Sequence, residues 1–236
     1  MKILAFDSTA KAASVAVCED EKCLALYTID NGLTQSELLM PMAENILKCL
    51  NLSFDDIELV CASMGPGSFT GVRIGAALVK GIAFGRDLPC VSVSTIEALA
   101  RNAMPLKGNI VPVMDARRGQ VYTAIFKSDG QTITRITEDD AVAITSLAEM
   151  LREYEGESIY LVGDGYAVAR RGLSAAGIEL SHTPPLLINE NAYSIALVAL
   201  EMYERGEYVK DTEIAPIYLR MPQAERERLE RLGKEQ

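Results

Sequence analysis

Tryptophan is missing from the 236 residues, and histidine occurs once, at His182. One imidazole cannot form a histidine pair for a metal. His182 lies in a Ser-His-Thr-Pro-Pro loop, where a solvated side chain is the ordinary outcome and no Ser-His-Asp or Cys-His arrangement is supported. The five cysteines (Cys18, Cys23, Cys49, Cys61, Cys90) have no metal-ligand spacing, and most sit in apolar runs as buried thiols do. Positive charge is scarce: 23 Lys and Arg against 33 Asp and Glu leave a net charge of −10. That balance argues against a broad nucleic-acid surface, which needs clustered cations. No apolar run is long and charge-free enough for a good membrane span. The best, Ile74 to Phe84, is short and carries Lys80. The first carboxylate, Asp7, comes too soon for a secretory signal. The expectation is a cytoplasmic protein with no metal site of its own and no membrane contact.

What is present is apolar: hydrophobic residues make up 49% of the chain, ample for real cores. The most distinctive stretch runs from Ser63 through Gly65-Pro66-Gly67-Ser68-Phe69-Thr70-Gly71 to Gly75. It follows a β-like run, Ile57 to Ala62, and opens a helix-like run, Val72 to Phe84. Gly65 and Gly67 flank Pro66, so the chain must bend there. Ser68 and Thr70 are both candidate helix caps. Free amides at a helix start suit an anion, so Gly65, Gly67, Ser68 and Thr70 read either as an anion loop or simply as a tight strand-to-helix turn. No Gly-Lys-Ser/Thr follows, so this is not a Walker loop.

The helix after the loop carries only Arg73 and Lys80 as charges between Gly71 and Gly85. A helix apolar nearly all round is buried on two sides. The helix from about Gln35 to Leu50 has a similar excess. Either the two helices sit inside one larger core, or one face meets a sheet and the other a partner protein. The partner reading takes Leu38, Leu39, Met42, Ile46, Val72, Ala76 and Val79 as contact residues, with Gly71 and Gly75 allowing close approach in a four-helix bundle. Periodicity does not say which face points outward.

Taken in order, the chain begins with a three-stranded meander: Lys2–Asp7, Ser14–Cys18 and Lys22–Asp30. Thr34 to Glu37 is a capping box opening the first helix, within which Pro41 marks a kink or the true first turn. A strand over 55–62, the glycine loop with its helix, a strand over 89–93 and a helix capped by Ser94 follow. Around Pro105-Leu106-Lys107-Gly108 the order begins again. Asn109–Met114 ends at Asp115, Gln120–Lys127 is the second strand, and 132–144 completes a second meander. A helix capped at Ser146, a strand over 158–162 and the Gly163-Asp164-Gly165 turn come next, then a late helix over 191–204. One supersecondary unit is used twice, the second copy smaller. The expected units are 1–104, 105–221 and a charged tail, 222–236. In both copies the first strand ends in Asp and turns straight back, so Asp7 and Asp115 either cap their turns or face a phosphate chain across a cleft.

These paired Asp-ended hairpins, with the late Gly-x-Gly turn, resemble the actin, Hsp70 and sugar-kinase superfamily, a two-lobed α/β fold of ribonuclease H-like type with a duplicated βββαβα unit and a reduced second lobe. Phe6-Asp7-Ser8-Thr9, Gln35 to Pro41, Gly65 to Gly75, Asp115 to Tyr122 and Pro216 to Arg220 are similar, in order, to the TsaB (YeaZ) family. That resemblance implies a non-catalytic subunit needed by a paralogue, TsaD, in making N6-threonylcarbamoyladenosine at position 37 of tRNAs that read codons starting with A. It implies a TsaD-like heterodimer partner, a TsaE-like ATPase, a homodimer when alone, and tRNA contact only through the complex. It also implies weak, vestigial nucleotide binding by Asp7, Ser8, Thr9, Asp115, Gly163 and Gly165, with ATP or ADP and magnesium held only in the partner complex. TsaD-like members carry a metal-holding His-x-x-x-His pair; the aligned place here has Gln35 and Leu39, and no catalytic residue is assigned. The rival readings are a small ATPase or kinase using Asp7 and Asp115, and a protease, for which no nucleophile–base pair is visible.

Overall fold

The computed structural model describes residues 1–219; the expected tail 222–236 and Arg220 lie outside the described residues. Strands β1 (Lys2–Asp7), β2 (Ala13–Glu19) and β3 (Lys22–Ile29) form the first meander. Helix α1 (Gln35–Cys49) leads to β4 (Leu59–Ser63), α2 (Phe69–Ala83), β5 (Cys90–Val93) and α3 (Thr95–Asn102). The sheet order is β3-β2-β1-β4-β5, antiparallel through the meander and parallel from β1 to β4 and from β4 to β5. Strand β1 is apolar throughout because it is covered on both sides. Leu4 and Phe6 face the cluster with α1 and α2, whereas Ile3 and Ala5 face a second cluster built largely from α6 (Ala192–Glu204).

Helix α1 opens at the expected capping box, with the Thr34 N–H donating to Glu37 Oε2 at 3.0 Å, and it runs on through Pro41, which is therefore not its first turn. The strand expected over 55–62 is shorter, because Phe54–Asp56 is a helical turn closed by Ser53 and Asp56.

The second sheet contains β6 (Gly108–Asp115), β7 (Gln120–Thr123), β8 (Phe126–Ser128), β9 (Ile133–Arg135), β10 (Asp140–Ala143) and β11 (Ile159–Val162). The strand expected over 120–127 is interrupted at Ala124 and Ile125, yet β7 and β8 hold one register along one edge of β6, from Asp115↔Val121 to Gly108↔Ser128. The break faces Pro112, which has no N–H to give to the ladder; Thr123 Oγ1 donates to the Pro112 carbonyl at 2.6 Å instead. β9 and β10 pair with β8 and β7 in turn, and β11 lies parallel to β6 on its other edge. Helices α4 (Ile144–Leu151) and α5 (Tyr166–Ala175) cover this sheet. α4 starts at Ile144, two residues before the expected Ser146 cap, because β10 runs straight into it.

α6 packs on the first sheet, and an arm after it returns there as well. Cys90 and Val209 exchange backbone bonds of 2.9 Å, the Ile217 N–H donates to the Met64 carbonyl at 2.6 Å, and Arg73 Nε donates to Tyr218 Oη at 2.9 Å. The Arg73 guanidinium lies 3.7 Å from the Phe69 ring centre, and Phe69 and Tyr218 rings sit 5.4 Å apart, so the arm is clasped at the start of α2.

The loop glycines have a packing cause. A Cβ on Gly71 would overlap the Ser8 carbonyl oxygen, whereas one on Gly81 would meet nothing within 4 Å. Gly71→Ala is therefore expected to cost at least about 2 kcal/mol in urea unfolding, and Gly81→Ala to add about 0.5–1 kcal/mol of stability. Equal effects from the two substitutions would contradict this account of the loop.

Candidate functional site

The first hairpin turn is closed by its own side chains. Asp7 Oδ1 accepts from the Thr9 N–H at 2.9 Å, from Thr9 Oγ1 at 2.7 Å and from Ser63 Oγ at 2.7 Å. Asp7, Ser8 and Thr9 are all buried. Ser8 Oγ donates to the Gly71 carbonyl at 2.7 Å, and the Ser68 N–H donates to the Thr9 carbonyl at 2.7 Å. The glycine loop thus lies directly on the turn, with a Cβ on Gly67 only 2.7 Å from Thr9 and one on Gly75 2.8 Å from Ser8 Oγ. Gly65, at φ +116°, is backed by the Ile217 carbonyl. Ser68 caps α2, its Oγ accepting from the Gly71 N–H at 3.2 Å, and Thr70 is exposed in the helix's first turn. Of the four residues expected to form an anion loop, Ser68 has its amide already paired inside the chain, with the Thr9 carbonyl.

The second hairpin is more open. Asp115 is half-buried; its Oδ1 accepts from the Arg117 N–H at 2.8 Å and its Oδ2 from Arg117 Nη1 at 3.2 Å. Arg117, Arg118 and Gly119 all have positive φ, which makes the reversal tight. Gly163 and Gly165 wrap the Asp164 turn onto the end of β6, Gly165 N–H donating to the Val113 carbonyl at 3.0 Å and Asp164 Oδ1 accepting from the Asp115 N–H at 2.9 Å. A Cβ on either glycine would strike Val113. The two hairpins meet: Ala10 of the first turn packs in one cluster with Met114 and Val162 of the second sheet.

Two acids absent from the expected site complete it. Asp164 is exposed as a residue, yet partial desolvation of its carboxyl pushes it up, with the Asp115 charge adding to this and the Asp115 N–H, Arg117 and Lys11 opposing it. Glu190 is pushed up to about 8 by burial and then by the charges of Asp7 and Asp164, against partial relief from its own N–H and that of Asp164. Its Oε1 has no hydrogen-bond partner among the described residues. The sequence held no pattern for Glu190, a single acid after Leu186-Leu187-Ile188; only the Asn191 cap beside it was a local signal. Among the described residues, no group of three or more His, Cys, Asp or Glu is arranged to hold a metal, and no helix is long and apolar enough to cross a membrane. Asp7 and Glu190 are buried near this meeting of the turns, and the Thr9, Ser68, Arg117 and Gly165 amides there are bonded within the chain.

The residues expected to meet a partner point the other way. Leu39, Met42, Ile46, Val72, Ala76 and Val79 are buried in the first sheet's own core, and Leu38 is half-buried against it. The periodicity is correct, but the stripe it picks out is the one laid on the sheet. The outward stripe of α2 holds Arg73, Ala77, Lys80 and Gly81, with Ile74 and Leu78 half-buried beside them.

A mixed sheet flanked by helices, a second sheet, and two Asp-ended hairpins meeting at a glycine turn define a protein of the actin-like α/β class. A solved structure titled YeaZ from Pseudomonas aeruginosa has this fold, with a TM-score of 0.74 at 23% identity over 92% of this chain and 99% of that one. A family model described as TsaD: tRNA N6-adenosine threonylcarbamoyltransferase matches residues 34–227. The tRNA threonylcarbamoyladenosine biosynthesis protein TsaB of Escherichia coli is 32% identical over 223 residues, covering 93% of this chain and 95% of that one. Its Bacillus subtilis counterpart is 33% identical over 164 residues, 70% of this chain and 72% of that one. The chain belongs to the TsaB family of tRNA threonylcarbamoyladenosine biosynthesis proteins.

Asp7 reads here as a structural acceptor. Asp7→Ala would leave three donors without their acceptor, two of them buried hydroxyls, so the variant is expected to lose about 3 kcal/mol or more in denaturant unfolding. A loss below about 1 kcal/mol would show that the turn does not depend on this carboxylate.

Proposed function

We propose that this chain is the non-catalytic partner subunit of a TsaD-like threonylcarbamoyltransferase, required to form N6-threonylcarbamoyladenosine at position 37 of tRNAs reading codons that start with A. The observation that carries the reading, beside family membership, is the use made of Gln35 and Leu39. Where the enzyme's histidine pair would stand, Gln35 Nε2 donates to the Ala10 carbonyl at 2.7 Å and Leu39 is buried in the core. Both positions serve packing, and neither side chain offers a metal an imidazole or thiolate. The site residues at the hairpins serve as structural closures; ATP or ADP with magnesium belongs to the partner complex, and a TsaE-like ATPase joins it there. tRNA is met through the complex, and the work is cytoplasmic.

The partner contacts the outward side of the α1–α2 pair, and the same side serves a homodimer when the enzyme is absent. Support comes from Ala77 and Gly81, small and exposed on α2, with half-buried Ile74 and Leu78 beside them and Met40 and Pro41 along α1. The chain also reads as two copies of one unit, supported by the shared order of each meander with a parallel strand beside its first strand. In that reading the lobes are 1–104 and 105–191, with α6 and the arm returning to the first.

Deleting the chain should remove threonylcarbamoyladenosine from tRNA while the threonylcarbamoyl adenylate is still made, as read by mass spectrometry of nucleosides; unchanged modification defeats the assignment. Ala77→Glu with Gly81→Glu should leave thermal unfolding nearly unchanged yet weaken capture of the TsaD-like enzyme at least tenfold. Full capture by the folded double variant would place the interface elsewhere.

A further inference from the structure

The segment from Ile188 to Ala192 crosses from one sheet to the other and is tied at both ends. The Ile188 carbonyl accepts from the Gly163 N–H at 2.5 Å, on the second sheet's glycine turn. The Ala192 N–H donates to Ser14 Oγ at 3.0 Å, on β2 of the first sheet. Between them, Asn102 of α3 donates through Nδ2 to the Asn189 carbonyl at 3.1 Å and accepts at Oδ1 from Asn191 Nδ2 at 2.9 Å. Glu190 stands at the middle of this tie, 7% exposed, with Oε1 unpartnered. It cannot swing out to water while both ends stay attached. The charged groups that act on it come from both sides: Asp7 from β1 and Asp164 from the glycine turn. Asp115, Arg117 and Lys11 act on Asp164 in turn.

A buried carboxyl with one oxygen unpartnered is costly, and an ionised one beside two other acids costs much more. The least costly state of the closed cleft is therefore one in which this carboxyl carries a proton. Once the hairpins separate and water reaches it, the same carboxyl returns to its ordinary acidity and releases that proton.

We propose that Glu190 is a proton-linked latch between the two hairpins: the closed cleft holds one proton on this side chain, and opening the cleft releases it. The sign follows from linkage. A carboxyl that is harder to ionise closed than open binds more protons in the closed state, so closure is favoured at low pH and weakens as pH rises. The window runs from the ordinary value near 4.5 to about 8, above which both states are ionised and the dependence ends. Within it, the opening constant rises up to about tenfold per pH unit for one proton. Any partner or ligand that prefers the open cleft will bind with release of a proton, and one that prefers the closed cleft will bind with uptake.

Hydrogen exchange on the full-length protein tests this, following the amides of 7–10 and 163–166 from pH 6 to pH 9 after correction for intrinsic exchange rates. Protection in the wild type is expected to fall by at least tenfold up to about pH 8 and then to level. Glu190→Gln keeps the shape and cannot ionise, so its protection should be flat across the range. Asp164→Asn should keep a sloping profile, because the titrating group remains. A flat wild-type profile overturns the latch whether or not the variants fold, and so does an equal slope in folded Glu190→Gln.

Discussion

The close approach of the Gly65–Gly75 loop to the Ser8–Thr9 turn is the contact on which the first half of the molecule depends. Backbone meets backbone there, without room for a side chain: Gly71 accepts from Ser8, Ser68 donates to Thr9, and Gly67 lies against the Thr9 main chain. These contacts fix α2 across the ends of β1 and β4, and Ser63 and Thr9 complete the lock through Asp7. The glycines give up helix propensity and chain entropy, and the return is a strand-helix-turn junction with its polar groups satisfied. The arm carrying Tyr218 reaches the start of α2 beside the loop, so Arg73 and Tyr218 meet across 145 positions of chain.

The same economy governs the polar groups of both hairpins. A phosphate chain needs free amides and a net balance of cations. In this chain the first turn bonds to the glycine loop, the second bonds to Arg117 and Asp164, and the acids between them outnumber Lys11 and Arg117. The architecture persists as a frame for surfaces, which is what a partner subunit requires of it. The inward side of the α1–α2 pair completes the core of the first sheet.

The same molecule keeps one strained feature. Glu190 is held by a segment that neither sheet can release alone, and its carboxyl lies among charges of its own sign. Well-packed apolar residues would be more stable at such a place.

Much of this was readable along the chain. Apolar runs marked β1, β4, β6 and β11, Thr34-to-Glu37 and Ser94 marked helix starts, and the lone His182 excluded a histidine pair, because each is a property of neighbouring residues. Other features depended on what lies across from them. Leu39, Met42 and Val79 belong to the right stripe, but a helical period gives spacing and not the side on which the sheet lies. The glycine loop suggested an anion, but its Ser68 amide meets the Thr9 carbonyl instead. α6 looked like part of the second unit until its apolar face was found on β1 and β2. Glu190 had no local signature at all. Sequence determined which segments could become strands, helices and tight turns, since those rest on local sterics and hydrophobic period. Only the tertiary structure decided which faces met, which amides were spent and which carboxyl was trapped, since those depend on groups brought together from far along the chain.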